Sequence, residues 1–180
     1  MERIKIWLGR GRVISPSAQD VAAIVPFRER RHGHRVNPRE GTRFLIIDDS
    51  PTIGLALRKM LGSVGYQTLI APNAEEGLEM ARSELPDLVF LDIVLPGMNG
   101  FAALRALRRD PRTRDIPVIL MSGDEEAINQ FYASALRADA FMRKPFTRSE
   151  LFGHIERLLD AQRTPRRLKR AGRVEGLSPA

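Results

Sequence analysis

The 180-residue chain has no cysteine. That absence excludes a disulfide framework and a thiolate metal site, and it fits a protein of the reducing cytoplasm. Long hydrophobic runs are missing as well. The opening residues MERIKIWLGRGR contain only a brief apolar stretch, interrupted by Gly9 and Arg10, which is too short for a signal peptide or a membrane span. Neither an internal sequence repeat nor a coiled-coil heptad is visible, so solenoid and long-helix architectures drop out.

Basic charge is plentiful, and its distribution matters more than its total. The net charge is +7, yet residues 44–160 hold thirteen Lys/Arg against seventeen Asp/Glu. Residues 1–43 hold ten against four, and residues 161–180 six against one. The excess therefore belongs to the two ends, and the middle is a mildly acidic body. With 43% apolar residues, that middle is long enough for one core of ordinary domain size. The organisation expected is a basic, flexible extension over 1–41, one domain over 42–162 and a basic, flexible tail over 163–180.

Short continuous apolar runs alternate with helix-period segments from Phe44 onward. Phe44–Ile47, Leu88–Leu91 and Val118–Met121 lack polar alternation, as strands buried on both faces do, and Thr68–Ile70 and Ala140–Met142 are weaker candidates. Ser50 can cap a helix whose first residue is Pro51, with Ile53, Leu57, Leu61 and Val64 on one face and Gly65 ending it. Asn73 and Glu76 frame a second helix start. Helices are expected around Phe101–Arg109 and Glu125–Arg137, and Thr147 to Glu150 reads as a capping box before Leu151, Ile155, Leu158 and Leu159. Five βα repeats predict an α/β fold: a doubly wound, five-stranded parallel sheet with helices on both faces.

In such sheets ligands bind at the carboxyl ends of the strands. Asp48 and Asp49 leave the first strand, Asp92 ends the third, Ser122 ends the fourth and Lys144 follows the fifth. Three carboxylates brought together repel one another unless a cation joins them, and hard oxygen ligands of this kind suit Mg²⁺. One carboxylate could then attack a phosphoryl group to form an aspartyl phosphate. Lys144 would pair with the transferred group and the Ser122 hydroxyl would hydrogen-bond its oxygen.

The segments FLIIDDSPTI, DLVFLDIVLPGMNG, PVILMSG and AFMRKPF resemble those of bacterial two-component response-regulator receiver domains, over about residues 42–160. The resemblance implies a (βα)5 flavodoxin-like fold. It makes Asp92 the phosphoacceptor, Asp48 and Asp49 the acidic pair that holds Mg²⁺ with Asp92, and Lys144 the lysine of the site. It assigns the Val94 backbone carbonyl to the metal. Ser122 and Phe141 fall at the hydroxyl and aromatic switch positions, although Phe141 reads equally well as core. Pro96 and Gly100 match the turn after the acceptor, and Lys144-Pro145 matches a dipeptide whose bond is commonly cis. Val94 and Asp124 would flank access to the centre and tune the lifetime of the phosphate.

The function implied is a phosphorylation-dependent switch that takes its phosphoryl group from a sensor histidine kinase or phosphotransfer protein and acts through a downstream protein not identified by the sequence. The wording of MNGFAALRALRRD and FTRSELFGHI leans toward single-domain receivers of twitching motility and chemotaxis, and a phosphorelay intermediate is also allowed. Apart from its own phosphorylation and dephosphorylation, no enzymatic activity is expected. A haloacid-dehalogenase phosphatase is excluded because it requires Asp-x-Asp, whereas Asp48 and Asp49 are adjacent.

The basic ends could contact phosphates of nucleic acid or of an anionic membrane, but solubilising tails are the preferred reading. Ile4–Leu8, with Trp7, is shorter than a stable amphipathic helix. His32 and His34 sit in an Arg-rich stretch and read as solvated, and His154 is expected at the surface or an interface.

Overall fold

The computed structural model describes residues 37–133 and 138–167. Five strands alternate with five helices: β1 (Arg43–Ile47), α1 (Pro51–Gly62), β2 (Gln67–Ala71), α2 (Ala74–Glu84), β3 (Leu88–Asp92), α3 (Gly100–Arg109), β4 (Val118–Ser122), α4 (Glu125–Ala133), β5 (Ala140–Arg143) and α5 (Arg148–Glu156). The sheet is entirely parallel with strand order β2-β1-β3-β4-β5, the flavodoxin-like doubly wound order. Three strands, β1, β3 and β4, lie between neighbours and carry the continuous apolar runs. The edge strands β2 and β5 are less buried, which is why their sequence signal is weaker.

Side chains that alternate across the sheet build two cores. Leu45, Ile47, Val89, Leu91, Val118 and Leu120 face α2, α3 and α4. Phe44, Ile46, Phe90, Ile119 and Met121 face α1 and α5, where Leu57, Leu61, Leu151 and Ile155 meet them. Burial of this kind, at about 25 cal/mol per Å² of apolar surface, is the main force that holds the helices to the sheet.

The helix starts obey local chemistry. The Ser50 hydroxyl accepts from the Ile53 N–H with Pro51 in the first turn, Asn73 accepts from the Glu76 N–H, and Thr147 and Glu150 close a complete capping box. The end of α1 differs from expectation. The helix stops at Gly62 with Ser63 as cap, and Gly65 lies in the following turn at φ 86°, its N–H bonded to the Gly62 carbonyl. Gly65 supplies a left-handed turn instead of the cap itself. For α4, residues 134–137 of the expected span lie outside the described residues.

The domain edges read from composition at 42 and 162 fall inside the hydrogen-bonded body. Arg163 donates to the carbonyls of Asn37 and Pro38, the Tyr66 hydroxyl donates to Pro38, and the Arg166 N–H donates to the Leu158 carbonyl. Polar composition hid these residues because backbone carbonyls, not apolar side chains, hold them. Residues 1–36 and 168–180, with His32 and His34, lie outside the described residues.

His154 is a further correction. It is only 5% exposed, not a surface residue. It lies three residues after Leu151 and four before Leu158, so it borders the stripe that α5 turns to the core.

Candidate functional site

Parallel strands place all their carboxyl ends at one edge, and the register aligns them. Asp92 pairs with Met121, one residue before Ser122, and the Lys144 N–H donates to the Ser122 carbonyl at 2.8 Å. The adjacent Asp48 and Asp49 follow the last residue of β1.

Lys144 organises this edge. Its Nζ lies 2.6 Å from Asp48 Oδ2 and 2.8 Å from Asp92 Oδ2. Asp48 and Asp92 are buried, while Asp49 is exposed. The second oxygen of Asp48 accepts from the Ser50 N–H at 3.0 Å, which ties the metal-type carboxylate to the cap of α1. Asp92 Oδ1 accepts from the Val94 N–H at 3.3 Å.

Electrostatics in the site pull in opposite directions. Burial raises the Asp92 carboxyl above its ordinary value, and the Asp48 charge adds to this, while contact with Lys144 and the Val94 N–H draws it back. For Lys144, burial works to lower the pKa, but Asp48 and Asp92 overcome it and leave the ammonium above its ordinary value. The lysine is therefore a permanent cation.

One ammonium faces three carboxylates. Asp48, Asp49 and Asp92 each offer an oxygen, all within 4.8 Å of one another. The Lys144 ion pair also leaves Asp48 Oδ2 without a properly angled hydrogen bond. An uncompensated acidic cluster of hard oxygen donors, part buried and part open, fits a divalent cation of the Mg²⁺ type.

The strand end that carries Asp92 is shaped by Gly100. A Cβ on Gly100 would run into the Asp92 carbonyl oxygen and lie 2.8 Å from the Ile93 Cα. The Gly100 N–H also donates to the Ile93 carbonyl at 2.9 Å. Only glycine lets the start of α3 come this near. Pro96 lies in the loop just before, and the Lys144-Pro145 bond is cis.

Ser122 is fully buried, and its Oγ accepts from the Asp124 N–H at 3.1 Å. Asp124, not Ser122, caps α4, through its Oδ1 and the Ala127 N–H at 2.7 Å. Leu120 pairs with Phe141, so Ser122, two residues on, shares the α4-facing side of the sheet with that ring. Phe141 is half-buried and stacks on Phe131, centroids 5.0 Å apart, beside the exposed Tyr132. The Val94 side chain is exposed at the rim.

Sequence reasoning missed the polar cluster at the opposite edge of the sheet. Asp139 Oδ2 accepts from Arg108 at 2.7 Å and from the Val118 N–H at 2.9 Å, and Oδ1 accepts from Arg167 at 3.2 Å. A lone acidic residue before a strand resembles any loop charge, and its partners lie 31 and 28 residues away.

A family model described as the response regulator receiver domain matches residues 44–156. The chain is 39% identical to Protein PilH of Pseudomonas aeruginosa over 117 residues, which is 65% of this chain and 97% of that protein. It also matches longer transcriptional regulators, of which it spans between 45% and 60%. Among solved structures, the signal receiver domain of a signal transduction histidine kinase from Syntrophus aciditrophicus superposes with a TM-score of 0.61 at 32% identity. That match covers 78% of this chain and 99% of the other. The receiver domain of the sensor histidine kinase PA1611 from Pseudomonas aeruginosa, solved with a magnesium ion in its active-site cleft, gives 0.55 at 25% identity. It covers 62% and 91% of the two chains.

Proposed function

The chain belongs to the response regulator receiver family, and from that premise we propose that it is a signalling switch phosphorylated on Asp92 by a sensor histidine kinase or a phosphotransfer protein. A carboxylate oxygen of Asp92 attacks phosphorus, the P–N bond of the donor phosphohistidine breaks, and a P–O bond forms to give an acyl phosphate. The donor imidazole leaves with the electron pair of the broken bond. The observation that carries this reading is the placement of Lys144 Nζ between Asp48 and Asp92, with Asp49 beside them.

The side chains of Asp48, Asp49 and Asp92 and the Val94 carbonyl would hold Mg²⁺. When bound, the ion neutralises carboxylate and phosphoryl charge. Lys144, already charged and aimed at Asp92, turns its ammonium to the new phosphoryl oxygens. The Ser122 hydroxyl accepts from Asp124 and keeps its own proton to donate to the phosphoryl group. Its movement toward that group vacates space on the face it shares with Phe141, and the ring then turns inward from its stack on Phe131. A local charge event thereby remodels the surface around α4, β5 and α5, where an unidentified protein target binds. Val94 and Asp124 flank the approach of water and set the phosphate lifetime.

The likeness to PilH over nearly the whole of that protein supports a role in motility or chemotaxis-type control. Onward transfer of the phosphoryl group in a phosphorelay is equally open to this pocket. On this reading the protein acts in the cytoplasm and on no separate substrate, catalysing only its own phosphorylation and dephosphorylation. No helix among the described residues is long and apolar enough to cross a membrane.

Incubation with acetyl phosphate and Mg²⁺ tests the assignment. Acid-labile label should enter the protein, fail to enter Asp92→Asn, and enter Lys144→Arg with a blunted output. Undiminished labelling of Asp92→Asn would overturn the acceptor. Capture of partners by the beryllofluoride-treated and untreated forms then reads the output surface.

A further inference from the structure

The guanidinium of Arg143, the last residue of β5, pairs with the carboxylate of Glu125, the first residue of α4. Both side chains are exposed, and neither takes part in the chemistry described above. What sets the pair apart from an ordinary surface contact is the loop it spans. In the β4–β5 ladder Arg143 lies opposite Ser122, and the Lys144 N–H donates to the Ser122 carbonyl at 2.8 Å. Glu125 follows Ser122 by three residues. The pair therefore closes a short ring, from Ser122 through Gly123 and Asp124 to Glu125, across to Arg143 and back through the ladder to Ser122.

The links of that ring are close. A Cβ on Gly123 would stand 3.4 Å from the Lys144 carbonyl oxygen and 3.5 Å from the Lys144 Cβ, so the loop lies against the residue that pairs with Asp92. The Ser122 hydroxyl accepts from the Asp124 N–H at 3.1 Å, and Asp124 Oδ1 accepts from the Ala127 N–H at 2.7 Å, which fixes the loop to the first turn of α4. Further along the helix, Phe131 stacks on Phe141. Helix α4 is thus held to β5 at two levels, by charge at its first residue and by aromatic rings about two turns later.

We propose that the Arg143–Glu125 pair is a latch that favours the unphosphorylated arrangement of the β4–α4 loop, which makes both residues positioning residues for the switch. The latch rests on Ser122 engaging a phosphoryl group on Asp92. When the hydroxyl turns to that group it leaves the Asp124 N–H, and the loop that carries Glu125 loses an attachment. The chain from Ser122 to Glu125 is too short to absorb the movement, so the carboxylate is drawn from Arg143. Exposed ion pairs are weak, and breaking this one shifts the balance between the two arrangements about two- to fivefold, the scale of a bias and not of a lock. The field of the two charges at the pocket is the competing account, and it has a different sign. Loss of Arg143 would then weaken the hold on an anion and loss of Glu125 would strengthen it. Loss of a latch acts the same way from either side.

Titration of the full chain with beryllofluoride, a phosphoryl analogue, at fixed Mg²⁺ tests this, with affinity read by isothermal titration calorimetry. Arg143→Gln and Glu125→Gln should each tighten binding about two- to fivefold, and the double variant should gain no more than the stronger single one, because both remove one shared contact. Arg143→Lys keeps the pair and should bind as the wild type does. The advantage of the glutamine variants should shrink toward none at roughly 1 M salt, where the Debye length is about 3 Å. Opposite shifts in the two single variants would assign the effect to the field of each charge and overturn the latch. Additive gains in the double variant, or unchanged affinity in both single variants, would overturn it as well. Absence of beryllofluoride binding to the wild type would remove the phosphorylation reading itself, and the latch with it.

Discussion

Gly100 lies so close to the backbone of Asp92 that a Cβ there would collide with the Asp92 carbonyl, leaving no room for a side chain at the start of α3. Both partners are main chain, so neither can rotate away. Gly100→Ala should therefore destabilise the domain by about 1–3 kcal/mol, the usual cost of overpacking, and should displace the strand end that presents the carboxylate. Chemical denaturation and acetyl-phosphate labelling of the same variant check the two consequences. Native stability together with full labelling would show that the contact is easily relieved.

Lys144 is the one cation paired with the buried carboxylates Asp48 and Asp92 among the described residues. Lys144→Met should lower stability in metal-free buffer by on the order of 2–3 kcal/mol, since it strands two like charges at close range. Added Mg²⁺ replaces that lost charge. Differential scanning calorimetry should show a larger Mg²⁺-induced rise in Tm for the variant than for the wild type; equal rises would contradict the account.

His154 gives the fold a pH dependence away from the site. Burial, reinforced by the nearby Arg157 charge, lowers it from 6.5 to about 4. The unfolded chain takes up a proton near 6.5, where the folded one does not, so stability from the neutral ring is full above that value and declines as pH falls toward 4. The loss amounts to roughly 3 kcal/mol across the window. Urea titrations between these values should show a shallower slope for His154→Leu than for the wild type. An unchanged slope would remove His154 from the account.

Asp139 joins β4, α3 and the chain after α5. Burial pushes its carboxyl up despite two arginine neighbours, and burial lowers Arg108 to about 10. Each charge is thus unfavourable in its place by itself, and the cluster survives because all its members are paired. Removing the shared carboxylate should cost far more than the cluster contributes. Asp139→Ala is expected to lose about 3–5 kcal/mol, whereas Arg167→Ala, whose partner keeps Arg108, should lose roughly 1. Thermal denaturation of both variants and the double variant measures the difference.

The architecture was legible because three central strands are buried on both faces, and burial without alternation leaves continuous apolar runs such as LVFL and VILM. Ser50, Asn73 and Thr147 announced their helices because capping is decided within four residues. The convergence of Asp48, Asp49, Asp92, Ser122 and Lys144 on one edge followed from the parallel order alone. Gly65 misled by three residues, since a glycine after a helix serves the turn as readily as the cap. His154 misled because one polar residue beside an apolar stripe carries no mark of its burial.

The amino-acid order by itself determined what is local or periodic: the alternating strands and helices, their caps, the acidic strand ends, and the removal of the basic excess to the two termini. Tertiary structure decided what depends on pairs distant along the chain. It set Lys144 between two carboxylates, fitted Gly100 against the carbonyl of Asp92, gave Asp139 two arginines, and drew residues 37 and 163 together. Such contacts arise only when packing brings separate segments within a few ångströms, a distance that spacing along the chain does not encode.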